Sequence, residues 1–444
     1  MWWFLPALAA DVPPAPRPTN VLVVVLDDVG TDKVSSYAEV PNAPATPRID
    51  ALGRQGVRFR NAYAYPVCSP TRAAILTGRY ARRDGMGAIV RWQGKWELPL
   101  SEVLLPELLD ASGTDWSTAA IGKWHLSGPN TPNAYDHPNR QGFDHFAGSL
   151  HNLYFGEDDE TEGKVPGMDY FHWEKVEDGS RREVETYATA TTTNDALERL
   201  TTMREPWFLY VAYNAAHSPF HVPPGSVVGD GAPIPQRYGA MMEDLDREVG
   251  RLVDGLPADQ RARTLIVVVG DNGTPGQAVL EPRDSRKAKG TLYEGGTNVP
   301  LIVAGPGVFG GGTTDALVHV VDLLPTVAEW VGVDPKRTGR PLDGVSFAPV
   351  LRDPTSAGAR TTVYTERFGP AGPPPYRNES FAIRDDRYKL MVGKGEGERF
   401  FDLLGRNDDG EGKDPATLQG EERVRYLRLK AELDRLHQNV GFED

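Results

Sequence analysis

A single cysteine, Cys68, occurs in 444 residues. No internal disulfide can therefore form, and the usual reason for cysteine in an exported protein is missing. No apolar run reaches the roughly twenty residues that a membrane-spanning helix needs. Basic residues are in deficit, with 48 Lys and Arg against 62 Asp and Glu, and the net charge of −14 argues against nucleic acid as a partner. An anionic substrate would have to meet cations gathered at one place, against the field of the whole chain. Internal repeats and low-complexity linkers are also missing.

What remains is an ordinary globular composition, 39% hydrophobic and 25% charged, with enough chain for a large core. The chain divides into three parts: an N-terminal segment over 1–19, a large domain over 20–345 and a smaller one over 346–444. The first ten residues, Met1 to Ala10, are apolar and end in small residues. They read as the remnant of a signal peptide without its basic start, so export to the periplasm or medium is the expected localisation.

Asn20 to Leu26 is a continuous, mostly β-branched run, as in a strand buried on both faces of a parallel sheet. It stops at Asp27-Asp28, and adjacent carboxylates at the end of a buried strand are costly unless something positive neutralises them. Thr264 to Gly270 repeats the pattern and ends in Asp271-Asn272. Either pair alone could be a turn. Two such strands ending alike are harder to read that way, because ligands bind at strand carboxyl ends in open α/β sheets. Ser117 to Gly122 reads as a strand leading to Lys123 and His125, which would point the same way in an extended segment. Trp207 to Tyr213 is a strand that runs towards His217.

Cys68 opens Cys68-Ser69-Pro70-Thr71-Arg72, followed by the apolar start of a helix, Ala73-Ala74-Ile75-Leu76. A helix N-terminus and Arg72 one turn away would favour a thiolate. The local pattern fits a small buried hydrophobe equally well. Further helices are expected over Thr46–Leu52, Leu104–Leu109, Thr186–Met203, Tyr238–Leu256, His319–Gly332 and Glu421–His437. Residues 126–175 read as a long irregular region. Short strands over Thr362–Arg367, Ser380–Arg384, Tyr388–Val392 and Arg399–Leu404 make the C-terminal part an α+β unit with an antiparallel sheet.

Cys68-x-Pro-Thr-Arg with the tail Leu76-Thr77-Gly78-Arg79 resembles the signature of the type I sulfatases. The resemblance runs from Leu22 to about Leu342 and fits the C-terminal part more loosely. It implies an alkaline-phosphatase-like α/β fold, a mostly parallel sheet between helices, with a smaller antiparallel-sheet domain alongside. It also implies a sulfatase hydrolysing a sulfate monoester of a sulfated carbohydrate or aryl sulfate. In that family a maturation enzyme oxidises the motif cysteine, here Cys68, to formylglycine, whose hydrate is the nucleophile.

Asp27, Asp28, Asp271 and Asn272 are hard oxygen donors that suit Ca²⁺ or Mg²⁺ better than zinc. The resemblance assigns them to a divalent cation, usually Ca²⁺, with residue 68 completing the shell. It gives Arg72 the task of holding the hydrate, and Lys123 that of bridging hydrate and sulfate. His125 would take the proton whose loss expels sulfate. His217 and Lys289 would contact the ester, and Asp271 would serve as base. Many members place a polar group near the sulfate after a Gly-Phe loop, and its counterpart within Ser149–Asn152 is left unassigned. The alternatives are a phosphodiesterase or phosphonate monoester hydrolase on the same scaffold, and an inactive glycan-binding relative. Arg91–Trp96 and Tyr170–Trp173 read either as sugar-stacking segments or as loop anchors.

Overall fold

The computed structural model describes residues 19–153, 168–393, 397–404 and 409–443. Met1 to Ala10, with the reading of a signal remnant, lies outside them.

A strand without polar positions needs cover on both faces, and here it has it. Along Asn20–Leu26, Val21, Val23 and Val25 join one apolar cluster while Leu22, Val24 and Leu26 join another. The first cluster takes in Ala73–Leu76 of the Cys68–Thr77 helix and Leu324 and Val327 of the Leu323–Val331 helix. The second takes in Met241, Leu245 and Val249 of the Ile234–Asp254 helix.

The sheet between them has ten strands. Its centre is five parallel strands in the order Thr264–Gly270, Asn20–Leu26, Trp207–Ala212, Ser117–Gly122 and His145–Gly148. On the Thr264–Gly270 side follow Leu301–Ala304, antiparallel, then Val57–Phe59 and Gly312–Thr314. The hairpin of Trp173–Glu177 and Ser180–Val184 closes the other edge antiparallel. Parallel register sets Leu26 beside Gly270, and Gly122 beside Ala212. The chain segments that leave these strands therefore emerge on one edge.

The C-terminal part is a four-stranded antiparallel sheet, Val363–Gly369, Arg377–Arg384, Tyr388–Gly393 and Gly397–Asp402. The Gly420–Asn439 helix packs on it through Tyr426, Leu429 and Leu433. The fold is the expected α/β architecture with an antiparallel unit beside it.

Two local expectations are corrected. The stretch 126–175 is not wholly irregular, since it supplies His145–Gly148 and the start of Trp173–Glu177 to the main sheet. Their short, aromatic-rich runs carry no clear period. The helix expected from His319 begins at Leu323, because His319 ends a two-residue strand and its side chain caps a 3₁₀ turn by accepting from the Val321 N–H.

Candidate active site

Four strand ends and one helix start converge on a single buried point. Asp27 and Asp28 follow Leu26, Asp271 and Asn272 follow Gly270, Lys123 follows Gly122, and His217 follows Ala212 by five residues. Cys68 is the first residue of the Cys68–Thr77 helix. Cys68, Arg72, Lys123, His125, Asp27, Asp28, Asp271 and Asn272 are all buried, whereas Lys289 keeps 21% of its side chain exposed and His217 12%. The opening to solvent therefore lies on the side of Lys289 and His217.

The acidic groups are met by cations at short range. Lys123 Nζ lies 2.5 Å from Asp27 Oδ2, and Arg72 Nη2 lies 3.5 Å from the same oxygen. Arg72 donates from Nε and Nη2 to Asp271 Oδ2, at 3.1 and 2.9 Å, and from Nη1 to the Lys123 carbonyl at 2.7 Å. Lys289 Nζ is 2.6 Å from Asp28 Oδ1, and His217 Nε2 is 3.8 Å from Asp28 Oδ2. Cys68 Sγ sits 3.6 Å from Asp27 Oδ1. The sequence thus brings every expected metal donor and the cations Arg72, Lys123 and Lys289 into one cluster.

The backbone at His125 is not extended as expected, since its φ of 61° is left-handed. His125 Nε2 faces the Val90 carbonyl at 3.2 Å, and its ring lies 4.3 Å from that of His151.

Burial would raise the Asp27 carboxyl, but Lys123, His217 and Arg72 override it and hold it below the ordinary value. Asp28 is likewise depressed, burial being outweighed by Lys289 and then His217. Asp271 goes the other way: burial and the nearby Asp27 raise it despite Arg72 and Lys123. Burial lowers His125 and His217, reinforced by His151 at the first and Lys289 at the second. The Cys68 thiol is pushed up by burial, which outweighs Lys123 and Lys289. The thiolate expected from the helix N-terminus is therefore not favoured, because the position is dry and two carboxylates stand near it.

The donor set fits a divalent cation. Ligand atoms of Asp27, Asp28, Cys68 and Asp271 lie within 4.8 Å of one another. Asn272 Nδ2 donates to Asp28 Oδ1 at 2.8 Å, while its Oδ1 is buried without a hydrogen-bond partner. A buried amide oxygen left unsatisfied beside the Asp28 carboxylate suits a positive ligand.

Several supporting residues have contacts that the sequence did not assign. Ser149 Oγ is hydrogen-bonded to the Asn214 side-chain amide, with Asn214 Nδ2 3.0 Å away, and its carbonyl accepts from the Trp124 N–H. The Tyr170 hydroxyl lies 2.5 Å from the Asn214 carbonyl and 2.8 Å from that of His217. His151 Nε2 shares the Val90 carbonyl with His125. Ser149, His151 and Asn214 sit in loops after strands, where polar residues following a strand end were the available signal, and Tyr170 lies just before the Trp173–Glu177 strand.

A family model described as Sulfatase matches residues 19–333, and one described as N-sulphoglucosamine sulphohydrolase, C-terminal, matches 287–439. N-acetylgalactosamine-6-sulfatase of Sus scrofa is 31% identical over 383 residues, covering 79% of this chain and 70% of that protein. Arylsulfatase A of Bos taurus is 30% identical over 417 residues, or 88% and 77% of the two chains. The crystal structure of Ps i-CgsB in complex with k-i-k-neocarrahexaose superposes with a TM-score of 0.76 at 25% identity, covering 95% of this chain and 92% of that one. The structure of BT4656 in complex with D-glucosamine-2-N,6-O-disulfate shares the fold, with a TM-score of 0.71 at 20% identity over 95% and 98% of the chains. By its match over most of its length, and by the relatives it shares that match with, the chain belongs to the sulfatase family of sulfuric ester hydrolases.

Proposed function

We propose that the protein hydrolyses a sulfate monoester of a carbohydrate or aryl alcohol, using Cys68 in its formylglycine form and a bound Ca²⁺. The observation that carries this reading is the position of Cys68, 3.6 Å from Asp27 inside a shell of oxygen donors and cations. A structural cysteine has no need of such neighbours, whereas an oxidised side chain at that position would meet them all. Oxidation by a maturation enzyme would supply a geminal diol as nucleophile. The cation would be held by Asp27, Asp28, Asp271, Asn272 and residue 68, and would supply charge stabilisation to an oxyanion.

The residues of the chain then divide the remaining work. Arg72 holds Asp271 and the Lys123 carbonyl, and so fixes two strand ends relative to the helix. Lys123 and Lys289 present ammonium groups on either side of the acid pair, where a sulfate's charge would be balanced. Asp271, with its raised pKa, is suited to accept a proton from the attacking hydroxyl. His125, held neutral, is suited to take the proton whose departure frees sulfate. His217 and Lys289, at the opening, are placed to meet the ester oxygen and the leaving alcohol. The catalytic unit is assigned to 20–345 and the accessory unit to 346–444, and the apolar start supports export.

The test is mass spectrometry of the peptide bearing residue 68, after production together with a formylglycine-generating enzyme, paired with turnover of aryl sulfate and aryl phosphate esters. Conversion of the thiol to the aldehyde should track sulfatase activity, with kcat/KM higher on sulfate. A fully active protein with an unmodified thiol would refute the reading.

A further inference from the structure

The residues on either side of His125 are tied together by one hydrogen-bonded circuit. Trp124, buried, separates Lys123 from His125 in the chain, and its indole packs among Phe143, Phe146 and His137. Its Nε1–H donates to His137 Nδ1 at 3.0 Å. His137 Nε2 donates in turn to the Leu98 carbonyl at 2.8 Å, and the Leu98 N–H donates to the Leu126 carbonyl at 2.9 Å. The circuit therefore closes on the chain at Trp124 and at Leu126, with His125 between them.

The chemistry of its partners leaves His137 one form. An indole N–H can only donate, and a carbonyl can only accept. His137 is then neutral, with its proton on Nε2 and a lone pair on Nδ1. Its side chain is fully buried. Burial lowers its pKa against the pull of the Leu98 carbonyl and Glu97, which favours that same neutral form. With both nitrogens engaged, the ring has none left over for chemistry of its own. What it can do is hold its neighbours.

His125 needs such support. Its φ of 61° is a conformation that a non-glycine residue keeps only where its surroundings impose it. The N–H groups of Trp124 and His125 donate to the Ser149 and Leu150 carbonyls, each at 3.0 Å, and these bonds hold the backbone. The circuit through His137 holds the Trp124 side chain and the backbone at Leu126. Lys123 reaches Asp27, and its carbonyl accepts from Arg72. Lys123 and His125 flank the indole in the chain, so a shift of Trp124 displaces both.

We infer that His137 is a positioning residue for catalysis: through Trp124 and Leu98 it keeps Lys123 and His125 in the geometry the reaction needs, without touching substrate or the reacting atoms. The inference rests on the sulfatase reading, which gives Lys123 and His125 their roles.

Three substitutions separate positioning from packing. His137→Phe keeps a ring in place and loses both hydrogen bonds. His137→Asn keeps an acceptor for the indole but is too short to reach Leu98 as well. His137→Gln presents a carbonyl oxygen to the indole and an amide N–H to Leu98, as the neutral imidazole does. Hydrogen–deuterium exchange with mass spectrometry reads the amides of Trp124 and His125, and aryl sulfate hydrolysis by protein carrying formylglycine gives kcat and KM. In His137→Phe those amides should exchange about tenfold faster or more. Its kcat should fall by about ten- to a hundredfold, with KM changed less than about twofold. His137→Gln should restore both readouts. His137→Asn should lie between, and it is judged by the same outcomes if the phenylalanine variant does not fold. Unchanged exchange in His137→Phe, or faster exchange with unchanged kcat, would overturn the inference, as would a loss of kcat that glutamine does not reduce. If the unaltered protein with formylglycine at residue 68 hydrolyses no aryl sulfate, the sulfatase reading fails, and the exchange pattern alone decides whether His137 holds the segment.

Discussion

Lys123 Nζ and Asp27 Oδ2 meet at 2.5 Å at a place where neither side chain has any exposure to solvent. Their strands are not neighbours: Trp207–Ala212 lies between Asn20–Leu26 and Ser117–Gly122. The pair therefore bridges across a strand at the carboxyl edge of the sheet, and ties one half of the site to the other.

Removing the ammonium leaves Asp27 buried with Arg72 Nη2, 3.5 Å off, as its nearest remaining cation. Breaking a buried pair from one side costs about 3–5 kcal/mol. Lys123→Ala should accordingly lower the thermal midpoint by several degrees, measured in chelator so that no bound cation replaces the ammonium. Turnover of an aryl sulfate should fall by at least about 10²-fold, because a positioned charge at the reacting group is lost. Near-normal kcat/KM in that variant would exclude Lys123 from the reaction.

The unsatisfied Asn272 Oδ1 leads to a metal-dependence prediction. Chelation should abolish activity, and Ca²⁺ should restore it better than Mg²⁺, whose octahedral demand suits a cluster of crowded carboxylates less well. Ca²⁺ at a hundredfold excess over its Kd should add about 2.7 kcal/mol of stability. Asn272→Ala removes a neutral donor without adding charge, so the Ca²⁺ titration should move to higher concentration in both assays. Indifference of both activity and melting to chelation would rule out a required ion.

Much of the architecture was legible because burial on both faces leaves nothing but apolar residues between Val21 and Leu26 and between Leu265 and Val269. The acid pairs were legible for the same reason, since carboxylates after such runs stand out. The left-handed backbone at His125 was not, because a non-glycine residue at φ 61° is set by tertiary contacts and not by local preference. Nor was the protonation of Cys68, which depends on burial and on charges from four other segments. Ser149, Asn214 and Tyr170 come from loops without a period, and the bonds joining them link residues 44–65 positions apart.

A second buried charge cluster makes a pH prediction away from the metal donors. Glu294 follows the Lys289 loop and lies 3.1 Å from Lys389 and 3.2 Å from Arg384, both on the C-terminal sheet. Burial would raise its carboxyl, but Lys389 and Arg384 hold it down to about 2. A folded value below the unfolded one means that Glu294 contributes its full stability above about pH 4.5 and loses it as the pH falls towards 2, a change of order 3 kcal/mol. Asp409, raised by burial in spite of Lys389, changes in the opposite sense and partly offsets this. Glu294→Gln should therefore flatten the fall of the melting temperature between pH 4.5 and 2. A slope equal to that of the unaltered protein would show that the acid sensitivity originates elsewhere.

Tyr170 tests how the His217 loop is held. Its hydroxyl lies within hydrogen-bonding distance of the carbonyls of Asn214 and His217, the two ends of the turn that delivers His217 to the mouth of the site. Its ring packs against that of His221 at 4.2 Å, tilted by 38°, a contact that phenylalanine can keep. Tyr170→Phe removes one donated hydrogen bond, and because the Asn214 carbonyl also accepts from the His217 N–H, the loss should be about 1 kcal/mol in denaturant unfolding. If the hydroxyl also fixes where His217 points, kcat should fall by about tenfold or more with little change in KM, since small misplacements of a reacting group are expensive. The loss of stability alone, with kcat unchanged, would assign Tyr170 to packing. A parallel loss in Asn214→Ala, whose side chain is bound to Ser149 and not to His217, would instead locate the effect in the Ser149 contact.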